Sequence, residues 1–153
     1  MIKIRGKASI LLAAIFLVGL LLPTAALAMP QPDSMFYCLD EANVLSQEHK
    51  DYYIRTSAAL EAAAGAQIVV VTVNSLDGQD IEGYANALFR EWGIGDREKN
   101  NGLLILLAPN ERDIRVEVGY GLEGKINDAK AGRLIDQYAL GYLSEDEFDQ
   151  GIY

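Results

Sequence analysis

Two short runs with no polar face decide the fold class. Residues 67–73 read QIVVVTV and residues 103–108 read LLILLA. Each is apolar on both alternating sets, so a strand built from either must be covered on both faces. Between them, Asp80 precedes Ile81, Tyr84, Ala85, Leu88, Phe89 and Trp92. That spacing is the apolar stripe of an amphipathic helix, with Asp80 as its N-cap and Trp92 as a core anchor. A helical connection between two buried strands implies parallel pairing through right-handed crossovers. The expected fold is therefore α/β: a three-layer sandwich with a mixed, mostly parallel sheet, helices on both faces and one β-hairpin.

The rest of the chain fits around that unit. Residues 35–39 are apolar enough for an edge strand, and Ser46 caps a helix that Gly65 terminates. The Ala-rich end of that helix (Ala58, Ala59, Ala62, Ala63, Ala64) suits close packing on the sheet. Residues 109–112 make a turn of hairpin length. Ile114, Val116 and Val118 alternate with Arg115 and Glu117 as in a half-buried strand. Asn127 or Asp128 caps a further helix with Ala131, Leu134, Ile135 and Tyr138 facing inward. Ser144 and Glu147 form a capping-box pattern that should open one more helix. Only two turns would fit before Tyr153, so a chain truncated before at least one more helix is expected.

The amino terminus has another purpose. Lys3, Arg5 and Lys7 precede an apolar run over residues 8–22, then Pro23 and an Ala26-Leu27-Ala28 site. This is the three-part pattern of a secretory signal peptide cleaved after Ala28, with an uncleaved anchor as the competing reading. Residues 29–35, with Pro30 and Pro32, read as a linker, and the domain as 36–153. The expected location is extracytoplasmic. Without the three leader cations, ten basic residues face 22 acidic ones, a net charge of −12. Such a surface repels nucleic acid and anionic lipid and suits divalent cations or basic partners. Solubility alone would explain the acidity equally well.

Chemistry is harder to read. Cys38 is the only cysteine and His49 the only histidine, which excludes an internal disulfide and multi-His or Cys-rich zinc sites. A Cys38–His49 nucleophile pair has nothing to bring its members together. Residues 119–124 read GYGLEG and match a dinucleotide fingerprint in spelling. The strand before them belongs to a hairpin, however, and Glu123 puts negative charge where pyrophosphate would lie. No nucleotide cofactor is expected, and the glycines serve a tight turn. An oxygen-rich site for Ca²⁺ or another hard divalent cation is the stronger candidate. Asp96 and Asn101 precede one hairpin strand, and Glu123 and Asp128 follow the other, so the two loops should meet at one sheet edge. Asp40 would add a third side if its strand ends there. Solvated loop charge and helix capping are the plainer alternative.

Several of these stretches together resemble the TPM-domain family. They are Asp40 with NVLS at 43–46, QIVVVTV, WGIG at 92–95, NGLL at 101–104, 115–124 with Asp128, and FDQGI at 148–152. That family includes thylakoid-lumen acid phosphatase-like and photosystem II repair proteins and many bacterial secreted or membrane-anchored proteins. The resemblance implies an α/β sandwich, a metal site at Asp96, Asn101, Glu123 and Asp128 with Asp40 in addition, and a location outside the cytoplasm. It also implies anchoring through a following transmembrane segment that this chain does not show. The expected function is a Ca²⁺-binding accessory or interaction module serving a membrane or envelope protein complex. A metal-dependent or acid phosphatase acting on phosphomonoesters is the alternative.

Overall fold

The computed structural model describes residues 29–32 and 36–153. The expected signal peptide and residues 33–35 of the expected linker lie outside them. The four-stranded sheet has the order β1-β2-β3-β4. Its strands are β1 (Cys38–Asp40), β2 (Gln67–Thr72), β3 (Gly102–Ala108) and β4 (Asp113–Val118). The first three are parallel, with Asp40 opposite Thr72 and Gln67 opposite Gly102. β4 returns antiparallel, with Leu103 opposite Val118 and Ala108 opposite Asp113. β1 begins three residues later than expected, after a turn at Phe36 and Tyr37.

The apolar strands divide their side chains between two layers, as their lack of a polar face requires. Val69, Val71, Leu104 and Leu106 pack on Tyr84, Ala85, Leu88 and Trp92 of helix α2 (Ile81–Trp92). Asp80 caps that helix by accepting from Gly83 N at 2.7 Å. On the other face, Cys38 and Val70 meet Tyr53 of helix α1 (Gln47–Ala64), while Leu107 and Ile114 meet the C-terminal helices. Steps from β1 to β2 and from β2 to β3 go the same way across the sheet, yet their helices cover opposite faces. The two crossovers are therefore of opposite hand, and one departs from the right-handed form expected of both.

Ser46 and Gly65 bound α1 as expected: Ser46 Oγ accepts from His49 N, and Gly65 takes a left-handed φ of 68°. Its Ala-rich end does not pack as expected, since Ala62, Ala63 and Ala64 are exposed. An 18-residue helix is about 27 Å long, and a three-residue β1 cannot underlie all of it. Met29 and Pro30 also depart from a plain linker. Met29 packs against the α2 layer, and Trp92 Nε1 donates to Pro30 O at 2.8 Å.

The C-terminal segment differs most. α3 (Asp128–Leu134) passes through a π-helical turn over Ile135–Ala139 into α4 (Leu140–Ser144), and α5 spans Phe148–Gly151. The π-turn resets the helical phase, so Tyr138 does not point into the core; Leu134, which precedes the turn, faces out as well. They are 42% and 60% exposed and border an open apolar groove with Ile68, Leu103 and Val116. Ser144 closes α4 instead of opening a helix; Asp146, at φ 61°, reverses the chain, and Glu147 precedes α5. Among the described residues no helix is long and apolar enough to cross a membrane.

Candidate functional site

The expected site lies at the end of the sheet where β3 begins and β4 finishes. The two loops do meet there, and what joins them is backbone. Gly121 N donates to Asn100 O at 2.9 Å, and Gly119 N donates to Gly102 O at 2.8 Å. A Cβ on Gly121 would fall 1.9 Å from Lys99 O, and one on Gly119 would fall 2.3 Å from Asn100 O. Gly95 and Gly102 approach just as closely, with a Cβ on Gly102 only 2.3 Å from Ile94 O. The GYGLEG turn is thus the face of a glycine junction: three chain segments stack at distances no side chain permits.

The side chains named for the metal do not converge. Asn101 is buried and uses both ends of its amide, donating to Gly65 O at 2.8 Å and accepting from Asp96 N at 2.9 Å. Asp96 is exposed, and its Oδ1 accepts from the amides of Glu98 and Lys99. Those two hydrogen bonds, that of Lys99 foremost, hold its carboxyl below the usual range. Glu123 is exposed beside this loop. Asp128 borders a different hollow, along β4, with Glu82 and Arg115.

Asp40 stands at the opposite end of the sheet, because parallel pairing puts the end of β1 beside the end of β2. Its side chain is 3% exposed and fully engaged. Oδ1 accepts from Thr72 Oγ1 at 2.6 Å and Val44 N at 3.1 Å; Oδ2 accepts from Leu45 N at 3.2 Å and Lys50 Nζ at 3.1 Å. Burial raises this carboxyl's pKa, and the four donors more than offset that, leaving it below its ordinary value. Asp40 is a structural tie between β1, β2 and α1. A calcium cage wants six to eight oxygens at one point. These five residues occupy three places, and Asp40 has spent its lone pairs on the protein. They do not fit the cation, and among the described residues no group of three or more His, Cys, Asp or Glu side chains is placed to hold one.

Besides the apolar groove and the hollow along β4, three hollows lie at the end where the parallel strands finish. One, of about 580 Å³, opens between Ala42 after β1, Asn74 after β2, Glu111 and Arg112 of the β3–β4 turn, and Phe148 of α5. A second, of about 410 Å³, continues from it past Asp146, Glu147 and Asp149, sharing Val44, Asp146 and Phe148 with the first. A third of the same size lies beyond Asn74, toward Glu41 and Tyr84. The topology accounts for this. The loops after β1 and β2 leave toward opposite faces, which opens a crevice at the carboxyl ends of an α/β sheet.

The groups around this crevice are held in place. Glu111 accepts from Ser75 Oγ at 2.7 Å and Leu76 N at 3.0 Å, and the Ser75 bond leads in holding its carboxyl below the usual range. Arg112, at φ 54°, forks onto Asp146 at 2.9 and 3.0 Å. Both partners are 57% exposed, so this pair opens at little cost. Nearby, His49 Nδ1 lies 2.8 Å from Asp149 Oδ1, and its ring stacks on Tyr153 at 4.0 Å between centroids. Asp149 also accepts from Ser46 N. Burial pushes its carboxyl up, while the His49 and Ser46 bonds bring it below its ordinary value. The sequence did not suggest this pair, whose members are one hundred residues apart.

A family model for the TPM domain matches residues 38–153. The chain belongs to the TPM-domain family. Among solved structures, this TPM domain is similar to the N-terminal domain of a protein from P. gingivalis, with 30% identity and a TM-score of 0.70 over 75% of this chain and 73% of the other. It also shares the fold of the N-terminal domain of a protein from Corynebacterium glutamicum, with 22% identity and a TM-score of 0.58 over 82% and 78%. No curated protein matches it. In this TPM domain, then, one end of the sheet is a glycine junction whose polar groups serve the fold. The other carries three joined or neighbouring hollows, the strained Arg112 and the exchangeable ion pair.

Proposed function

We propose that this TPM domain works outside the cytoplasm as an accessory module that binds a partner in a membrane or envelope complex, through the crevice at the carboxyl ends of its parallel strands. The signal-peptide pattern supports the location. The observation that carries the binding role is the crevice itself: about 580 Å³ of solvent-open space lined by polar groups that hydrogen bonds already hold in place. Such a surface is pre-organised for recognition.

A phosphatase acting on phosphomonoesters is the second reading. One arrangement favours it: the His49–Asp149 pair, a base oriented by a carboxylate. Stacking against Tyr153 and 9% exposure of His49 count against its reaching a substrate. The test is hydrolysis of a chromogenic phosphomonoester from pH 4 to 9 by the purified domain and by His49→Ala. No turnover above the buffer rate supports the binding module. Turnover that disappears in His49→Ala would replace it with the enzyme.

A further inference from the structure

Resting on the binding-module reading, the geometry points to the class of partner: we propose that the groove running from Asn74 to Asp149 takes an extended basic segment of another protein. Val44 and Phe148 belong to both of the joined hollows and give the groove an apolar floor. Above that floor stand four carboxylates, Glu111, Asp146, Glu147 and Asp149, and a single guanidinium, Arg112. Donors from Ser75 and Leu76 hold Glu111 in place, and donors from His49 and Ser46 hold Asp149.

An apolar floor under an acidic rim matches the two parts of a lysine or arginine side chain. The aliphatic stem lies on Val44 and Phe148, and the charged head reaches the carboxylates. An arginine can in addition stack on the Phe148 ring. Asp146 is the exchange point, because its exposed bond to Arg112 can be given up to an incoming cation. The acidic rim rules against an anionic lipid surface, which a basic patch would be needed to hold. The deep negative charge of the mature chain draws a basic partner in from a distance.

The test is fluorescence anisotropy with a labelled ten-residue peptide of alternating Lys and Leu, set against one of alternating Glu and Leu. Three proteins are compared at 50 mM salt: the parent, Asp146→Asn with Glu147→Gln, and Glu123→Gln with Asp128→Asn. The two double variants remove the same charge from opposite parts of the molecule. All four side chains are exposed, and Asn tolerates the left-handed backbone at position 146. Thermal melts confirm that each variant folds. Expected are binding of the Lys peptide only, at least tenfold weakening in the groove variant, and less than twofold weakening in the distant one. Equal weakening in both variants would reduce the effect to general attraction and overturn the proposal. Equal binding of the Glu peptide, or no binding of either, would do the same. These outcomes bear on the class of partner and leave the choice between binding module and enzyme to the hydrolysis assay.

Discussion

Replacing Gly121 with alanine tests the glycine junction at its tightest point. The new Cβ would sit 1.9 Å from Lys99 O and 3.1 Å from Asn100 O. Real Cβ–oxygen contacts lie at 3 Å or more, so the turn must retreat by more than 1 Å. The obstacle is backbone, not a side chain that can rotate away. Retreat also breaks the 2.9 Å bond from Gly121 N to Asn100 O. Forced overpacking costs about 1–3 kcal/mol, and the lost hydrogen bond costs about 1 kcal/mol more. The combined loss of about 2–4 kcal/mol is large against a total stability of roughly 5–15 kcal/mol. The control is Gly124→Ala in the same turn, where nothing lies within 4 Å of the added Cβ. That change should be neutral or stabilise by up to about 1 kcal/mol through the unfolded chain. Urea denaturation of both variants gives the comparison, with Tm falling roughly 4 °C per kcal/mol for a domain of this size. If Gly121→Ala unfolds within about 0.5 kcal/mol of Gly124→Ala, within the usual spread of harmless surface changes, the close stacking is not what holds the loops together.

Three further expectations follow from the same geometry. Asp40→Asn should destabilise by about 3 kcal/mol, the low end for breaking a buried pair, because Lys50 keeps some access to water. Asp40 is held below its ordinary pKa, so its contribution is present above about pH 4 and fades as pH falls through and below that value; the variant should show a shallower acid limb in a plot of stability against pH. Tyr53→Phe should be neutral or stabilising by up to about 1 kcal/mol, since the Tyr53 hydroxyl is buried without a hydrogen-bond partner among the described residues; a loss above 1 kcal/mol in a thermal melt would mean that the hydroxyl is satisfied. Calcium chloride at millimolar concentration should leave Tm unchanged, whereas a site filled to one hundred times its Kd would add about 2.7 kcal/mol.

What the sequence made legible was whatever is encoded locally. The unbroken apolar character of 67–73 and 103–108 required two covered faces, and Val69 and Val70 do enter opposite layers. The stripe from Ile81 to Trp92 and the caps at Ser46, Asp80 and Gly65 describe single elements and were readable as such. The meeting of the 96–101 and 119–124 loops followed from hairpin pairing alone. Other features required knowledge of three-dimensional neighbours. Charge density suggested that Asp96, Asn101 and Glu123 meet around a cation, but the loops meet through Gly119 and Gly121, and Asn101 turns inward to Gly65. Asp40 looked free to join them only while the direction of β1 was unknown. Opposite-handed crossovers have no local signature, yet they are what opens the crevice. The His49–Asp149 pair and the Arg112–Asp146 fork join positions one hundred and 34 residues apart, beyond the reach of any periodicity. A π-turn at Ile135–Ala139 broke the helical phase from which Tyr138 was read as inward-facing.

The claim on which the functional reading depends is that the carboxyl end of the sheet, not the glycine junction, is where this TPM domain meets its partner. Amide shift mapping during titration with the Lys/Leu peptide addresses it residue by residue. The expected result is a contiguous set of shifting amides at 42–44, 74–75, 110–112 and 146–149, with 96–101 and 119–124 unmoved. Shifts concentrated at 96–101 and 119–124, with the carboxyl-end set silent, would contradict it.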